Sequence, residues 1–207
     1  MVRIKMFTGL IRELAEVVSF KNGFLSLKAK HKAKIGDSIA VNGACLTVVK
    51  FNDTGFTVEL SEETLSLINI KSLKNKVHIE PAMQLKDRLE GHIVQGHIDC
   101  LGEISKIENR GKTKDFYIKI PKNFIKFIIP KGSVTIDGVS LTVNEVFADS
   151  FRLTIIPHTI KNTIIKNYQI GSKVNVETDM FARYLYYLFN KEKNLTWDKV
   201  DNIMSMY

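Results

Sequence analysis

An eleven-residue stretch occurs twice in this chain. Residues 38–48 read SIAVNGACLTV and residues 133–143 read SVTIDGVSLTV, with five identical positions and mostly like-for-like exchanges at the others. The repeat extends in both directions, pairing FTGL (7–10) with VQGH (94–97), LAEV (14–17) with LGEI (101–104), EETL (62–65) with PHTI (157–160) and VHIEPAM (77–83) with VNVETDM (174–180). A period of about 90 residues is too long for a solenoid, whose repeats are roughly 20–50 residues long. The sequence therefore predicts two copies of one domain that join near His92.

Each copy contains short segments rich in β-branched and aromatic residues. They are SIAV, CLTVVKF, GFTVEL and KVHIE in the first copy and DFYIKI, SVTI, LTVNEV and FRLTII in the second. Gly, Asn and Asp bound these segments, which predicts short antiparallel strands, and Asn42-Gly43 and Asp137-Gly138 suit two-residue hairpin turns. About six strands in 90 residues favour a small closed barrel, because closure removes exposed strand edges.

A long helix is predicted only after the second copy. The segment DMFARYLYYLFNKEK places Phe181, Tyr184, Leu185 and Leu188 on one helical face. This apolar face must be buried, either against the barrels of the same chain or against further copies of the chain. The predicted limits are 1–92 for the N-terminal barrel, 93–182 for the C-terminal barrel and 183–207 for the helix and tail.

The composition disfavours several classes of function. Apolar runs are far shorter than the roughly 20 residues that span a bilayer, and charged residues interrupt the N-terminal segment where a signal peptide needs a continuous apolar run. Cys45 and Cys100 show no metal-type spacing, so reduced thiols in a cytoplasmic protein are expected. The net charge of +8 comes from scattered lysines without a nucleic-acid-binding motif. It suits a small anionic substrate or plain solubility.

Aligned positions that differ in chemistry are the first candidates for a functional site. The pairs are Cys45 with Ser140, Ala40 with Thr135, Gly36 with Lys131 and Leu10 with His97. Nearly every extra reactive group belongs to the second copy. This asymmetry suggests one plainer and one better equipped pocket, which would suit two related molecules that are used differently.

Two histidines lie five residues apart in EGHIVQGHIDC. His92 and His97 lack the four-residue spacing of helical zinc ligands, and no Cys or acidic cluster follows at ligand spacing, so no metal site is predicted. In an extended segment this odd separation sends the two rings to opposite faces, so at most one faces a given pocket. We interpret His92 as a surface or core residue and His97 as a cleft residue suited to proton transfer.

Hydroxyl and thiol groups alternate along the repeated strand. Ser140 and Thr142 occupy alternate positions and therefore share one face, as do their counterparts Cys45 and Thr47. Such residues are either tolerated strand residues or ligand contacts, and Cys45 is equally well explained as a small buried hydrophobe. The sequence offers no His and Asp arrangement that would make Cys45 a nucleophile.

The motifs MFTGL, NGACLTV, GHIVQGHID, DGVSLTV and IPHT, in this order, resemble those of the riboflavin synthase alpha chain family over nearly the whole chain. The resemblance implies tandem six-stranded antiparallel Greek-key β-barrels with a C-terminal helix, assembled as a homotrimer through the helices. It also implies an active site between the N-terminal barrel of one subunit and the C-terminal barrel of its neighbour.

The activity that the resemblance implies is a dismutation catalysed by a transferase, the last step of riboflavin biosynthesis. Two molecules of 6,7-dimethyl-8-ribityllumazine give riboflavin and 5-amino-6-ribitylaminouracil by transfer of a four-carbon unit, without a cofactor or metal. Association with a separate lumazine synthase is a further expectation. The alternative is a non-catalytic paralogue that binds lumazine or flavin; a flavin reductase would need a Gly-rich nucleotide-binding turn that the sequence lacks.

The resemblance also implies site residues, position by position. A first pocket would use Gly9, Leu10, Ile11, Cys45, Leu46, Thr47, Glu59, Leu60, Ser61, Glu62, Glu63 and Thr64. A second pocket would use Gly96, His97, Ile98, Lys131, Ser140, Leu141, Thr142, Thr154, Ile155, Ile156, Pro157, His158 and Thr159. The catalytic side chains would be Phe7, Ser38, Cys45, His97, Lys131, Ser140, Thr142 and Asp179.

The chain departs from the family pattern in two places. Many members have two adjacent cysteines where this chain has Ala44-Cys45, and five residues precede the usual starting MFTG, which bears on the placement of Phe7. In the implied chemistry His97 assists deprotonation of the C7 methyl group, and Lys131 stabilises developing negative charge. The two flat substrates would react because they are held in register.

Overall fold

The computed structural model describes residues 6–192, which form two closed six-stranded antiparallel β-barrels and a C-terminal helix. The first barrel comprises β1 (Glu13–Lys21), β2 (Phe24–Lys28), β3 (Ser38–Val41), β4 (Ala44–Asn52), β5 (Gly55–Glu59) and β6 (Lys76–Pro81). The second comprises β7 (Cys100–Arg110), β8 (Thr113–Lys119), β9 (Ser133–Ile136), β10 (Val139–Val146), β11 (Ser150–Ile155) and β12 (Lys173–Thr178). The predicted duplication and barrel architecture are confirmed.

Both barrels have the same strand order. Around the first barrel it is β1-β2-β5-β4-β3-β6, and the second repeats it as β7-β8-β11-β10-β9-β12. Pairing shifts at equivalent places as well, at Val17/Ser19 and Val48/Lys50 in the first barrel and at Ile104/Lys106 and Val143/Glu145 in the second. Such bulges increase local twist and help a small sheet to close.

Each barrel has its own hydrophobic core, because alternate residues of every strand point inward. In β11, for example, Phe151, Leu153 and Ile155 are buried in the core, whereas Arg152 and Thr154 between them lie on the outer face. The functional positions of the repeated stretch therefore lie on the outside of the barrels, where a ligand can reach them.

The hairpin turns Asn42-Gly43 and Asp137-Gly138 form as predicted. Their φ angles are 43° and 84° in the first barrel and 44° and 84° in the second, the left-handed values of a two-residue turn. The two turns also touch: a Cβ added to Gly43 would lie 2.7 Å from the backbone nitrogen of Gly138. Glycine is required here both by its φ angle and by the close approach of the barrels.

A buried polar network joins the barrels beside these turns. The Asn42 side chain accepts from the His78 N–H (2.8 Å), and at the equivalent place Asp137 accepts from the Asn175 N–H (2.8 Å). His78 Nε2 accepts from the Ile164 N–H (2.8 Å), so its Nδ1 carries the proton and donates to the Asp137 carbonyl (2.7 Å). Burial lowers the pKa of His78 to about 4, which keeps this cross-barrel histidine neutral.

Four α-helices lie outside the sheets in the part of the chain that the structure describes: α1 (Glu62–Leu67), α2 (Lys122–Ile125), α3 (Pro157–Asn162) and α4 (Met180–Glu192). Helix α4 contacts the second barrel through Tyr186, whose ring packs edge-on against Phe127 with centroids 5.3 Å apart. Its predicted apolar face, however, is more than half exposed, at Phe181, Tyr184, Leu185 and Leu188.

Packing of that face against the chain's own barrels is therefore not what the structure shows. Assembly with further copies remains a prediction. The predicted tail beyond residue 192 lies outside the described residues. None of the described helices is long and apolar enough to cross a membrane.

Candidate functional site

Two short segments, one around Gly9 and one around Gly96, each extend from their own half of the chain to a strand of the other half. We call them the exchanged segments. The Gly9 carbonyl oxygen accepts from the N–H of Ser140 in β10, and the Gly96 carbonyl oxygen accepts from the N–H of Cys45 in β4, both at 2.8 Å. The approach is close: a Cβ added to Gly9 or to Gly96 would lie 2.6 Å from the Cβ of Ser140 or of Cys45, respectively. Each barrel is therefore completed by a segment from the other half of the chain.

A buried carboxylate fixes each exchanged segment. Glu80 at the end of β6 accepts from the N–H groups of Thr8 (2.8 Å) and Gly9 (3.0 Å). Glu177 in β12 accepts from those of Gln95 (2.7 Å) and Gly96 (2.9 Å). Burial raises the pKa of Glu80 and raises that of Glu177 to about 7, while the N–H donors oppose the shift. The sequence analysis selected neither carboxylate, although Glu80 and Glu177 occupy aligned positions of the repeat.

The exchange corrects the predicted composition of the two pockets. Ile98 packs against the core of the first barrel and Ile11 against that of the second. Gly96, His97 and Ile98 therefore belong with Cys45, and Gly9, Leu10 and Ile11 belong with Ser140. The prediction placed these two segments in the opposite pockets because it assumed that each barrel uses its own residues.

The first site, defined by Cys45 and its surroundings, is a groove of about 360 Å³. It is lined by Ala44, Cys45, Glu63, Thr64, Leu67, Ile68, Gly96, His97 and Ile98. This volume is near the lower end of the roughly 300–1,000 Å³ found for small-molecule sites, which suits one flat heterocycle. His97 is exposed and the Cys45 side chain is half-buried.

Helix α1 forms one wall of the first site. Ser61 caps it by accepting from the Thr64 N–H (3.1 Å), so the capping interaction positions the Thr64 side of the groove. Glu62 and Glu63 occupy the first turn, where negative charge is favourable.

Strands β3, β4 and β5 supply the remaining residues of the first site. Ser38 and Glu59 both pair with Thr47, one on each side of it, so the three residues form a polar row along the outer face. Leu46 and Leu60 are buried in the barrel core. Their side chains therefore hold the strands in place, and only their backbone atoms remain available to a ligand.

The second site is defined by Ser140, the counterpart of Cys45. Its hydroxyl oxygen lies 2.8 Å from His92 Nδ1, and the Thr135 hydroxyl lies 3.5 Å from Nε2 of the same ring. Burial lowers the pKa of His92, and Asp179 opposes this shift. His92 is thus a neutral imidazole in hydrogen-bond contact with Ser140, which can accept the hydroxyl proton.

His92 was interpreted from the sequence as a surface or core residue, and the structure gives it a partner at the second site instead. The available signal was the repeated Gly-His pair in GHIVQGH. The expectation that at most one of the two histidines faces a given pocket agrees with the structure, since His97 lines the first site and His92 contacts Ser140 at the second.

Lys131 lies beside the same strand in an unusual backbone conformation. Its φ angle is 66°, and its N–H donates to the Val143 carbonyl (2.8 Å). The equivalent residue of the first barrel is Gly36, with φ 83°. A lysine at a position that glycine adopts without strain costs about 1–3 kcal/mol, so the exposed ammonium group is retained against a conformational cost.

Strand β11 leads into the last predicted segment of the second pocket. The Thr154 hydroxyl donates to Asp115 (2.6 Å) and accepts from Arg152 (3.0 Å), while its N–H donates to Asn144 (2.7 Å). This threonine is therefore committed to a charged cluster on the outer face. Ile155 is buried in the core, and its side chain cannot line a pocket.

The other residues predicted for the second site have diverse environments. Leu141 packs partly against the core and Thr142 is exposed on the face that bears Ser140. Pro157 is the first residue of α3, where a missing N–H is tolerated. Ile156, His158 and Thr159 surround that turn, of which Ile156 and His158 are exposed and Thr159 is half-buried.

Two predicted catalytic residues occupy structural positions. Phe7 is fully buried between the barrels, and its N–H donates to the Val94 carbonyl (2.8 Å). Asp179 accepts from the Phe181 N–H (2.8 Å) at the start of α4 while acting electrostatically on His92. Phe7 therefore packs between the barrels, and Asp179 connects the helix to the second site.

Within residues 6–192, no group of three or more His, Cys, Asp or Glu side chains is arranged to hold a metal ion. The functional groups around the two sites are imidazole, hydroxyl, thiol and ammonium groups. These groups can bind a polar heterocycle and move protons.

Comparison with known proteins gives concordant results. The family described as Lumazine binding domain matches twice, at residues 8–82 and 95–179. Riboflavin synthase from Photobacterium phosphoreum is 40% identical over 198 residues, covering 91% of each chain. Riboflavin synthase from Bacillus subtilis is 40% identical over 195 residues, covering 90% of this chain and 91% of the relative.

Solved structures agree on the fold. LumP complexed with 6,7-dimethyl-8-(1'-D-ribityl) lumazine superposes with a TM-score of 0.74 at 22% identity, covering 83% of this chain and 98% of LumP. LumP complexed with riboflavin gives a TM-score of 0.73, also at 22% identity, covering 84% and 99%. With the duplicated domain, the order of the motifs and about 40% identity to riboflavin synthases over nine tenths of the chain, this protein belongs to the riboflavin synthase family.

Proposed function

We propose that this chain is a riboflavin synthase that converts two molecules of 6,7-dimethyl-8-ribityllumazine into riboflavin and 5-amino-6-ribitylaminouracil. The observation that carries the proposal is the pair of equivalent sites around Cys45 and Ser140, each completed by the other half of the chain. A reaction between two copies of one molecule needs two sites of one kind, with different side chains for the donor and the acceptor of the four-carbon unit.

At the first site, His97 and Cys45 would face the reacting end of one lumazine. The C7 methyl group is acidic because the ring system delocalises the anion, so His97 or a water molecule that it holds can remove the proton. The hydroxyls of Thr47 and Thr64 offer hydrogen bonds to the ring or the ribityl chain. Proton abstraction and orientation are thus the tasks of this site.

At the second site, the hydroxyl of Ser140 is in contact with a neutral imidazole, His92. This pair can deliver or accept a proton at the second lumazine, and Thr142 lies on the same face of the strand. The ammonium group of Lys131 would stabilise negative charge that develops during the transfer. Much of the acceleration would come from holding the two rings in register.

Assembly as a homotrimer through α4 is part of the proposal. The exposed apolar face formed by Phe181, Tyr184, Leu185 and Leu188 supports it, since apolar patches of this kind mark interaction surfaces. In such an assembly the first site of one subunit would face the second site of its neighbour. Sedimentation of the wild type and of Leu185→Lys tests this, with a trimer expected only for the wild type.

The proposal further includes a transferase mechanism without cofactor or metal, a cytoplasmic setting and the domain limits 1–92 and 93–182. The cytoplasmic setting is supported by Cys45 and Cys100, which form no disulfide within residues 6–192. Association with a lumazine synthase would supply substrate locally, and co-sedimentation of the two purified proteins tests it.

The deciding experiment is to incubate the purified protein with the lumazine and to follow riboflavin by its absorbance. One riboflavin and one 5-amino-6-ribitylaminouracil per two lumazines are expected. Binding of the lumazine without riboflavin formation would instead establish the non-catalytic carrier. His97→Ala is expected to slow single-turnover formation of riboflavin at saturating substrate, and an unchanged rate would remove His97 from the mechanism.

A further inference from the structure

The segment that carries His97 is held at both ends by one side chain of helix α4. Arg183 donates through Nη1 to Asp99 Oδ1 (2.8 Å) and through Nη2 to Gln95 Oε1 (2.9 Å). Gln95 and Asp99 lie two residues before and two residues after His97. The guanidinium group therefore binds the residues on both sides of the histidine with two hydrogen bonds, one of which is an ion pair. We call this arrangement of Arg183, Gln95 and Asp99 the bracket.

Strand β12 holds the same segment from the side of the barrel. Glu177 accepts from the N–H groups of Gln95 and Gly96, and the Asp99 N–H donates to the Val176 carbonyl (2.9 Å). Asp99 Oδ2 also accepts from the N–H and the hydroxyl of Thr178, both at 2.7 Å. Both flanks of His97 are thus fixed, while its own side chain remains exposed in the first site.

Within residues 6–192, the equivalent segment of the other half, around Leu10, has no such bracket. Thr8 replaces Gln95, and its hydroxyl donates to Glu80 (2.8 Å) within the same half. Arg12 replaces Asp99, so the acidic partner of a guanidinium group is missing. The residue between them is Leu10, which has no proton to transfer. The bracket therefore occurs in the half that presents a histidine.

Helix α4 has two faces with different environments. On one, Lys126 Nζ lies 4.2 Å above the Tyr186 ring, which also contacts Phe127, and Arg183 reaches the His97 segment. On the other, Phe181 and Leu185 are exposed. Any contact that covers the exposed face also restricts the helix that carries Arg183.

We propose that Arg183 is a positioning residue for His97, through which the seating of helix α4 controls the competence of the first site. The inference rests on the proposed function, because that function gives His97 its task. It assigns Arg183 no contact with substrate.

The charges around Glu177 provide a readout that a purely structural role would not change. Arg183 lowers the pKa of Glu177, against the raising effects of burial and of Asp99. Loss of Arg183 therefore raises the pKa of Glu177 above about 7, so the carboxylate that holds Gln95 and Gly96 becomes protonated at higher pH. The acid limb of the activity profile should move upward.

The test compares Arg183→Met, which keeps the aliphatic stem, with Arg183→Lys, which keeps the charge and can reach one partner at most. We expect kcat to fall about tenfold for Met and less for Lys, with KM within threefold of the wild type and the acid limb shifted to higher pH for Met. Asn190→Ala, on the same helix but outside the bracket, is the matched control and should keep wild-type kinetics. A kcat of Arg183→Met within twofold of the wild type overturns the proposal.

A double-mutant cycle with His97→Ala separates positioning of His97 from general damage. If Arg183 acts through His97, Arg183→Met should have little further effect on kcat in the His97→Ala background; a full additional tenfold loss overturns the proposal. Amide hydrogen exchange of residues 95–99 should be faster in Arg183→Met and Arg183→Lys than in wild type, and unchanged exchange also overturns it. This readout needs no turnover, so it stays decisive if the wild type forms no riboflavin.

Discussion

The first and second sites share a backbone and differ in their side chains. Both rest on a glycine carbonyl that crosses from the other half, and both crossing segments are held by a buried glutamate. The first site combines Cys45 with an exposed histidine, His97, whereas the second combines Ser140 with a half-buried one, His92. Duplication thus supplied the geometry twice, and divergence of a few side chains on the outer faces gave the sites different chemistry.

The largest effect is expected from blocking the exchange itself. Gly9→Ala and Gly96→Ala would each place a Cβ 2.6 Å from the facing Cβ, at φ angles of 75° and 77°. Backbone strain and overpacking together should cost about 3 kcal/mol or more in each variant. Equal losses in the free energy of unfolding, measured in urea, would support equivalent crossings.

The matched control for this pair is Gly171→Ala. Gly171 has φ 88° but nothing within 4 Å of an added Cβ, so only the left-handed conformation is penalised, by about 1–2 kcal/mol. If Gly9→Ala or Gly96→Ala cost no more than this control, the close crossing of that segment would be refuted.

The second effect concerns His78, whose counterpart in the other half is Asn175. Because burial lowers the pKa of His78 from 6.5 to about 4, its stabilising contribution is full above about pH 6.5 and is lost as the pH falls toward 4. The free energy of unfolding should therefore fall by about 2 kcal/mol between pH 7.5 and pH 5 on account of this residue. His78→Gln should remove that part of the acid sensitivity.

The comparison with His78→Gln is needed because other buried groups change the free energy of unfolding in the opposite direction as the pH falls. Burial raises the pKa of Asp137 and of Glu177 to about 7, so their ionisation costs stability as the pH rises toward 7. Both remain in the variant, and the difference between the two pH profiles isolates His78. Parallel slopes of the unfolding free energy against pH for wild type and His78→Gln would contradict the assignment.

The third prediction sharpens the contrast between Ser140 and Cys45. Ser140→Ala removes the hydroxyl that contacts His92 and should lower kcat about a hundredfold, the lower end of the range for lost acid–base assistance. Cys45→Ser, which introduces the second site's residue into the first, should retain most of the activity. Stopped-flow measurement of riboflavin formation checks both, and equal losses would show that the His92 contact carries no special role.

The smallest effect is expected from Lys131→Gly, which gives the second barrel the residue that the first has at Gly36. Because φ is 66° at this position, glycine should stabilise the protein by about 1 kcal/mol. The same change removes the ammonium group that the proposed mechanism uses at the second site, and it should slow the reaction. A higher Tm with lower kcat is the expected combination; a variant that is both less stable and fully active would contradict both halves of the argument.

Much of the fold could be predicted from the sequence because its signals are local. The dipeptides Asn42-Gly43 and Asp137-Gly138 are enough to predict hairpin turns with left-handed φ angles. The hydroxyl groups of Ser140 and Thr142 at alternate positions indicate one face of a strand. The six-stranded barrel followed from the spacing of such segments. The apolar face of α4 was also recognisable. The sequence did not decide whether this face packs against the chain's own barrels or against further copies of the chain.

The identity of the candidate residues was set by the sequence, but their partners were not. Cys45, Ser140, His97 and Lys131 stood out as aligned positions with different chemistry. The sequence could not pair His97 with Cys45, nor His92 with Ser140. The residues of each pair are far apart in the sequence, and their contact depends on which barrel an exchanged segment enters. Only the tertiary structure decided this, since the close passage of backbones at Gly9 and Gly96 is set by the docking of two barrels rather than by any local pattern.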